Sequence, residues 1–263
     1  MIFSNIASGS DGNCSYFSSG KANILIDAGI SKKRINEGLR AYDTDVSKMD
    51  AILISHEHSD HICALRVIEN KDNIPIYATK ETIEEIKRKN EFKNEPVFVA
   101  IEPDKAFRIA DIRINPFSVS HDAANPVAYR LECEGHAFGI CTDLGYFDDY
   151  VVKNLKGLDS LLVESNHDVR MLETGPYPYY LKQRILSARG HLSNESSGKL
   201  ISKIMHDDLE KVVIGHLSKQ NNYVDLALEA VKCEIDFADN KYKGDDFPII
   251  AASHEKSTEI YID

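Results

Sequence analysis

The segment His56-Glu57-His58-Ser59-Asp60-His61 gathers three histidines and an aspartate directly after the apolar run at residues 51–54. The apolar run predicts a buried strand, and loops that follow strands in α/β proteins commonly carry the reacting groups. Imidazole nitrogen suits zinc and other transition metals, and carboxylate oxygen also suits harder cations. These four side chains would be an unfavourable way to build a neutral core. The segment therefore predicts ligands for two divalent ions.

Further ligands are expected where other apolar runs end. His121 follows the run at residues 112–120, Asp143 follows 136–142 and His216 follows 211–215. One such residue alone is more often a capping or hydrogen-bonding group. Their occurrence together with the first segment favours metal binding, and Asp143 has two oxygens with which to bridge two cations. The predicted ligands are His56, His58, Asp60, His61, His121, Asp143 and His216.

The composition is that of a soluble globular protein. The chain has 263 residues, of which 43% are hydrophobic and 28% charged, and we expect a single domain over residues 1–263. The beginning of the sequence lacks the pattern of a signal peptide, and no apolar run approaches the roughly 18–20 residues of a membrane span. These features, together with five cysteines that form no Cys-x-x-Cys pair, predict a reduced, cytoplasmic protein with no membrane partner.

The net charge of −11 disfavours a nucleic-acid partner, since such proteins usually present a basic face. Bound metal would neutralise the catalytic carboxylates, and many other acidic residues lie far from the predicted site in sequence. The charge therefore disfavours a nucleic-acid substrate but does not exclude one.

Short apolar runs alternate with helical patterns along the chain. Strands are predicted at residues 22–27, 51–55, 97–100, 112–120, 127–132, 136–142, 158–164, 211–215 and 247–251. Helices are predicted to start at Ser31, Thr79, Ser193 and Tyr223. Many of the runs are apolar throughout, as expected for strands covered on both faces. The order predicts an α/β fold with two sheets sandwiched by helices.

The ligand pattern resembles the signature of the metallo-β-lactamase-fold hydrolases. The opening loop Ala7-Ser8-Gly9-Ser10-Asp11-Gly12-Asn13 and the strand Leu25-Ile26-Asp27-Ala28-Gly29 are also similar to that family. Three further motifs resemble the bacterial YycJ/WalJ subgroup, which is related to RNase Z and the β-CASP nucleases. They are Glu164-Ser165-Asn166-His167-Asp168, Gly190-His191-Leu192-Ser193-Asn194 and Gly215-His216-Leu217-Ser218-Lys219-Gln220-Asn221-Asn222.

The resemblance implies a four-layer αββα metallo-β-lactamase sandwich and two divalent ions, with zinc, manganese or iron acceptable. It implies phosphodiester hydrolysis by a 5′-to-3′ DNA exonuclease with a role in DNA repair. One ion would be held by His56, His58 and His121, and the other by Asp60, His61 and His216, with Asp143 bridging. Asp27 would orient a histidine ligand, the alternative being a plain turn aspartate before Ala28-Gly29.

The catalytic residues implied by the resemblance are Asp60, His191 and His167. His191 is similar to the RNase Z histidine that protonates the leaving oxygen, a step worth about 10²–10⁴-fold in rate. The alternative for His191 is a helix-capping role before Ser193. The alternative for His167 is an ordinary histidine of a surface loop.

Contacts with a DNA substrate are predicted from the tyrosine-rich segment at residues 175–184 and from the opening loop. Tyrosines stack on bases, while lysines, arginines and loop amides bind phosphates. The alternative for the segment is a helix start with core tyrosines and a solvated basic face. The predicted contacts are Ser10, Asn13, Lys182, Arg184, Arg189 and Asn194.

Three function classes remain open at this point. The first is a nuclease acting on single-stranded or 5′-ended duplex DNA, and the second is a small-molecule hydrolase such as a cyclic phosphodiesterase or thioesterase. The third is a binding module without metals, which the complete ligand set disfavours. The redox branch of the family has glutamate where this chain has His58, which favours hydrolysis. His136, His206 and His254 are expected to lie outside the site.

Overall fold

The computed structural model describes residues 1–69, 71–253 and 256–262. The chain divides into two compact units, and it passes between them several times. Unit 1 comprises residues 1–118, 123–135 and 253–263, and unit 2 comprises residues 119–122 and 136–252. Among the described residues, no helix combines the length and the apolar character that a membrane span requires.

Unit 1 is built on a mixed sheet with the strand order β14-β1-β2-β3-β4-β5-β6. The strands of this unit are β1 (Ile2–Ala7), β2 (Cys14–Ser18), β3 (Asn23–Ile26), β4 (Ala51–Leu53), β5 (Ile76–Thr79), β6 (Phe98–Ile101), β7 (Phe107–Ile109), β8 (Ile112–Ser118), β9 (Val127–Cys133) and β14 (Thr258–Ile262). Pairing is antiparallel from β14 to β3 and parallel from β3 to β6. Strands β7, β8 and β9 lie outside this sheet, and β8 pairs antiparallel with both β7 and β9.

The helices of unit 1 cover the sheet through apolar side chains at helical spacing. They are α1 (Lys32–Leu39), α2 (Ser59–Ile62), α3 (Leu65–Glu69) and α4 (Lys80–Lys89), with 3₁₀ turns at Arg40–Tyr42 and Val46–Lys48. The predicted starts of α1 and α4 are confirmed, because the Ser31 and Thr79 side chains accept hydrogen bonds from the backbone N–H groups of Arg34 and Thr82. Ile35 and Leu39 are fully buried in the core.

Unit 2 contains four parallel strands in the order β13-β12-β11-β10 among its described residues. Its elements are β10 (His136–Cys141), α5 (Asp149–Leu155), β11 (Ser160–Glu164), α6 (Val169–Thr174), α7 (Tyr179–Leu186), α8 (Asn194–Ile204), β12 (Lys211–Gly215), α9 (Val224–Phe237) and β13 (Ile249–Ala251). Every residue of β11 is buried, as predicted for a strand covered on both faces. The predicted cap at Ser193 is confirmed by its bond from Ser196 N–H.

The predicted strands are all present, with ends displaced by a few residues, but the prediction missed β1, β2, β5, β7 and β14. In β1 the polar residues Ser4 and Asn5 are buried within the sheet, which hides its apolar character in the sequence. Strand β7 has only three residues, none of them fully buried. These strands exist because neighbouring strands complete their backbone hydrogen bonds, which a local pattern cannot reveal.

Candidate functional site

The four predicted ligands of unit 1, which we call the histidine cluster, are His56, His58, Asp60 and His61. His56 and His58 follow β4, and Asp60 and His61 lie in α2. His56 Nε2 lies 3.0 Å from His58 Nδ1, and Asp60 Oδ2 lies 3.4 Å from His61 Nε2. Two ligand atoms at 2.0–2.1 Å from one tetrahedral zinc are about 3.3 Å apart. Both separations therefore fit atoms that share an ion.

Asp27 and Ser55 fix the orientation of two of these rings. His61 Nδ1 donates to Asp27 Oδ2 at 2.8 Å, so the lone pair of His61 is on Nε2, the atom that faces Asp60. Ser55 donates to the same carboxylate and lies 3.0 Å from His56 Nδ1. Asp27 is thus placed to orient a histidine ligand, as the resemblance implied.

The opening loop is tied to α2 by its backbone as well as by Asn13. Asn13 N–H donates to Asp60 O at 2.7 Å, and the Asn13 side chain lies 3.0 Å from His61 Nε2. Gly29 N–H donates to Asn13 O, and a Cβ atom on Gly29 would lie 1.5 Å from Asp60 O. Only glycine permits this approach. Of the two predicted substrate contacts in the loop, Asn13 is buried beside the ligands and Ser10 is exposed.

The predicted ligands of unit 2 surround a glutamate that the sequence reasoning left without a role. This carboxylate cluster consists of His121, Asp143, Glu164, His191 and His216. Asp143 Oδ1 lies 3.5 Å from His216 Nε2 and 3.9 Å from His121 Nε2. His121 Nδ1 donates to Gly190 O at 3.0 Å, which leaves its Nε2 lone pair available to an ion.

Glu164 ends β11 and is fully buried. Its Oε1 accepts from Nδ1 of His191 at 2.7 Å and from Nδ1 of His216 at 2.8 Å. Its Oε2 accepts the backbone N–H groups of Leu144 and Leu192. A carboxylate at the end of an otherwise apolar run was the signal in the sequence, because burial of that charge requires partners. One carboxylate therefore orients a predicted ligand and the predicted acid together.

The pKa values in this cluster follow from burial and from Glu164. Burial opposes the charged forms, but the two imidazoles outweigh it at Glu164 and hold its pKa at about 2. Burial likewise opposes a charged His191, yet the carboxylate raises the pKa of that ring above its usual value. Burial lowers the pKa of His121, which suits a neutral ligand.

His167 is buried rather than exposed in a surface loop. Burial lowers the pKa of His167 to about 4, so the ring is neutral at pH 7. Its Nδ1 lies 3.3 Å from Asn166 Oδ1, and its Nε2 has no hydrogen-bond partner among the described residues. With Nδ1 as the donor, Nε2 can accept a hydrogen bond but has no proton to give.

A buried amide network joins the three segments that follow Glu164, His191 and His216 in the chain. Asn222 Nδ2 donates to Ser165 O, Asn166 O and Asn194 Oδ1 at 2.9–3.1 Å. Asn194 Nδ2 donates to Asn222 Oδ1, and Asn194 Oδ1 also accepts from the Ser165 hydroxyl. Asn194 was predicted as a substrate contact, but its amide is fully buried and is used inside the protein.

The other predicted substrate contacts of unit 2 lie on or after α7, whose eight residues are all exposed or half-buried. Lys182 Nζ donates to Glu173 O, Arg184 forms an ion pair with Asp122, and Arg189 Nε donates to His121 O. Tyr179 and Tyr180 are 76% and 73% exposed, so the alternative of core tyrosines is wrong for both. The remaining histidines make contacts of their own: His136 pairs with Asp159, His206 bonds Leu158 O, and His254 lies outside the described residues.

Asp27, which orients the ring of His61, and two residues of the carboxylate cluster have left-handed backbone. The φ angles are 60° at Asp27, 59° at Asp143 and 55° at His216. Residues with side chains adopt this region at a cost of roughly 1–3 kcal/mol each, and such strain is typical of functional sites. All three residues directly follow a strand or lie one residue beyond it.

A family model described as a β-lactamase superfamily domain matches residues 22–216. The chain belongs to this superfamily. The match includes every predicted ligand, from His56 to His216.

Relatives and solved structures agree with this assignment. The chain is 36% identical to an exodeoxyribonuclease WalJ of Streptococcus pneumoniae over 263 residues, which cover 98% of this chain and 96% of that protein. It is 35% identical to an exodeoxyribonuclease YycJ of Bacillus anthracis over 233 residues, 88% of each chain. The metallo-β-lactamase fold protein YhfI from Bacillus subtilis superposes with a TM-score of 0.73 at 18% identity, covering 98% of each chain.

The predicted α/β metallo-β-lactamase sandwich, with mixed sheets and helices, is therefore confirmed. Both clusters of this superfamily member offer histidine and carboxylate ligands for divalent metal.

Proposed function

We propose that the protein is a dinuclear-metal phosphodiesterase that degrades DNA from the 5′ end. The single observation that carries this proposal is the 36% identity with an exodeoxyribonuclease over nearly the whole of both chains. The histidine cluster and the carboxylate cluster supply the donor atoms that such chemistry needs. We propose a role in DNA repair and a cytoplasmic location, the latter supported by five free thiols.

The clusters would hold two ions, zinc or manganese, with iron also suited to these donors. His56, His58 and His121 would hold one ion, Asp60, His61 and His216 the other, and Asp143 would bridge them. Bound divalent ions supply Lewis-acid activation of the phosphate ester and of water. The ligand rings are already oriented by Asp27, Gly190 O and Glu164, which lowers the cost of assembling the site.

His191 would act as the general acid. An alkoxide is a poor leaving group, so a proton delivered during P–O cleavage accelerates the reaction. His191 Nδ1 is held by Glu164, which leaves Nε2 as the atom that gives the proton. The raised pKa keeps the ring protonated nearer to neutral pH. His167, by contrast, would contribute as a neutral hydrogen-bond acceptor.

DNA contacts would come from α7 and the segment that follows it. Exposed Tyr179 and Tyr180 offer faces on which bases stack, and Lys182 has donors left after its bond to Glu173 O. Arg189 touches the backbone of His121 and would bring phosphates towards that ligand. Ser10, at an exposed position of the opening loop, would add a phosphate contact.

The competing function is a small-molecule metallo-hydrolase, such as a cyclic phosphodiesterase or thioesterase. The net charge of −11 favours it, because a polyanionic substrate is repelled by a protein of that charge. The two functions differ in whether a polymer end is required.

The deciding experiment offers metal-loaded protein 5′-labelled and 3′-labelled DNA, single-stranded and duplex, with and without a 5′-phosphate. Stepwise release of nucleotides from the 5′ end is the expected result. Hydrolysis of bis(4-nitrophenyl) phosphate with all DNA left intact would reject the exonuclease and select the small-molecule hydrolase. Asp60→Ala and Asp143→Ala should abolish turnover of both substrates, and full activity in either variant would contradict the two-ion scheme.

The general-acid role of His191 has its own test. His191→Ala should lower kcat for DNA about 10²–10⁴-fold but have little effect on a nitrophenyl ester, whose leaving group departs without a proton. Equal losses on both substrates would remove the general-acid role.

A further inference from the structure

Unit 1 contains a cavity of about 630 Å³, well within the 300–1,000 Å³ of typical ligand pockets. It is formed between α3 and the segments that precede β5 and β6. Its lining residues are Arg66, Val67, Lys71, Glu91, Phe92 and Lys93.

The cavity is separate from the histidine cluster. Strands β4, β5 and β6 are parallel, so the segments before β5 and β6 lie at one edge of the sheet. His56 to His61 follow β4 and therefore lie at the opposite edge. The two edges are separated by the length of a four-residue strand, which is roughly 13 Å.

The charge of the cavity is opposite to that of the protein. Three cations and one carboxylate line it, although the chain as a whole has a net charge of −11. Arg66 and Lys71 make no side-chain hydrogen bond or ion pair within the described ranges. Nearby cations on α1 and α4 do pair, such as Lys32 with Asp72 and Arg88 with Glu85. Positive charge is therefore left available in the cavity.

Glu69 of α3 does not offset that charge. It is buried, and burial raises the pKa of its carboxyl to about 7, so it is only partly ionised at neutral pH. It also forms no ion pair within the described part of the chain.

The cavity has an apolar wall beside these cations. Phe92 is half-buried and packs edge-on against Phe98, with ring centroids 6.1 Å apart, so its ring is held in place by the core. Val67 is 44% exposed. A rigid aromatic surface next to guanidinium and ammonium groups matches a planar base joined to a phosphate.

We infer that this cavity is a second binding site, which takes a nucleotide unit through its phosphate and its base. The phosphate would be bound by Arg66 and Lys71, and the base would pack against Phe92. The unit can come from a nucleic-acid strand or from a free nucleotide, which share this chemistry. The inference goes beyond the proposed function, because binding at this edge of the sheet requires no hydrolysis.

The test measures binding of a fluorescein-labelled phosphorothioate DNA strand to the metal-loaded protein by anisotropy. Arg66→Ala/Lys71→Ala should weaken binding roughly 5- to 20-fold and flatten the dependence of log K on log salt by about 1.4, the value for two phosphates on a single strand. The control Arg40→Ala/Lys48→Ala removes the same charges from exposed positions of unit 1 and should bind as the wild type does. Phe92→Leu keeps an apolar side chain and should lower affinity for the strand more than for an abasic strand.

A mononucleotide and a polyglutamate peptide serve as competitors. Displacement of the strand by the mononucleotide, lost in Arg66→Ala/Lys71→Ala, supports the site and makes the free nucleotide a sufficient ligand. No displacement by the mononucleotide, with the strand still dependent on both cations, supports the strand as the ligand. Unchanged strand binding in Arg66→Ala/Lys71→Ala would overturn the inference, and so would polyglutamate binding as tight as that of the strand.

Failure of this site can be told apart from failure of the proposed function. Arg66→Ala/Lys71→Ala should hydrolyse bis(4-nitrophenyl) phosphate at the wild-type rate. Charge-dependent binding by a protein that degrades no DNA would refute the exonuclease and leave the cavity site standing. Normal DNA degradation without that binding would refute the cavity site alone.

Discussion

Glu164 shows what a single buried charge does in this protein. It accepts from two imidazoles and two backbone N–H groups, so the charge is fully compensated although the residue has no contact with solvent. The same carboxylate sets the tautomer of His216 and the pKa of His191. The seven candidate ligands could be selected from the sequence because histidines and aspartates at strand ends stand out there. Glu164 was missed because its partners lie 27 and 52 residues away.

Glu164→Gln should lower kcat for DNA about 10-fold to 100-fold, since residues that hydrogen-bond and orient metal ligands have effects of that size. The substitution removes the charge that raises the pKa of His191, so that pKa should fall. If protonated His191 gives the proton, activity is lost as pH rises through its pKa, and the high-pH limb of kcat should move to lower pH. A pH–rate profile measures this shift. Glu173→Gln, at an exposed position of α6, is the control, and an unmoved limb would contradict the role of Glu164.

Glu69 should make stability depend on pH. Its pKa is about 7 in the folded protein and near 4.5 when unfolded, so the folded state binds the proton more tightly. Between these values the free energy of unfolding should fall as pH rises. Glu69→Gln removes the ionisable group and should flatten this decline. Urea unfolding at pH 5 and pH 8 measures the difference, and parallel declines in both proteins would assign it to other groups.

At the scale of elements, the local pattern placed the helix starts that it found more closely than the strand ends, although it found a smaller share of the helices than of the strands. Ser31, Thr79 and Ser193 mark helix starts. Each side chain accepts a hydrogen bond from the backbone N–H three residues later, so the cap depends only on neighbouring residues in the sequence. Strands such as β1 and β7 depend on partners elsewhere in the chain, so their residues need not show a pattern of their own. The loops of the site also depend on distant partners, because the side-chain amides of Asn194 and Asn222 hold them together. The sequence pattern did not predict this structural role of the two amides.

Asn222→Ala tests how the three loops of unit 2 are fixed. The substitution leaves Ser165 O, Asn166 O and Asn194 Oδ1 without this donor and should destabilise the protein by about 3 kcal/mol, since each buried group left without its partner costs roughly 1–3 kcal/mol. Hydrogen exchange should rise in these loops before it rises in β11 or β12. Asn154→Ala, on α5, is the control for loss of an amide, and an equal loss of stability in both variants would contradict a special role for the network.

At the scale of the whole molecule, the division into two units coincides with a division of the predicted ligands. His56 to His61 belong to unit 1, whereas His121, Asp143 and His216 belong to unit 2. The expectation of one domain over residues 1–263 stays a prediction. It is supported by the course of the chain, because each unit is assembled from segments that are discontinuous in sequence.

Thermal unfolding tests that expectation. Segments as short as residues 119–122 have no stability of their own, so the two units should lose structure together in one cooperative transition. Calorimetry should give equal calorimetric and van't Hoff enthalpies for metal-loaded protein. Two resolved transitions would instead establish two domains.

The left-handed backbone at Asp27, Asp143 and His216 also bears on how this protein can be altered. Glycine would relieve the strain at each position and remove the side chain that the site uses. At these three positions, the residue that gives the higher thermal stability is therefore not the residue that activity requires. Directed evolution that selects variants only for thermal stability should accumulate glycine at these positions. The selected proteins would be more stable and catalytically inactive.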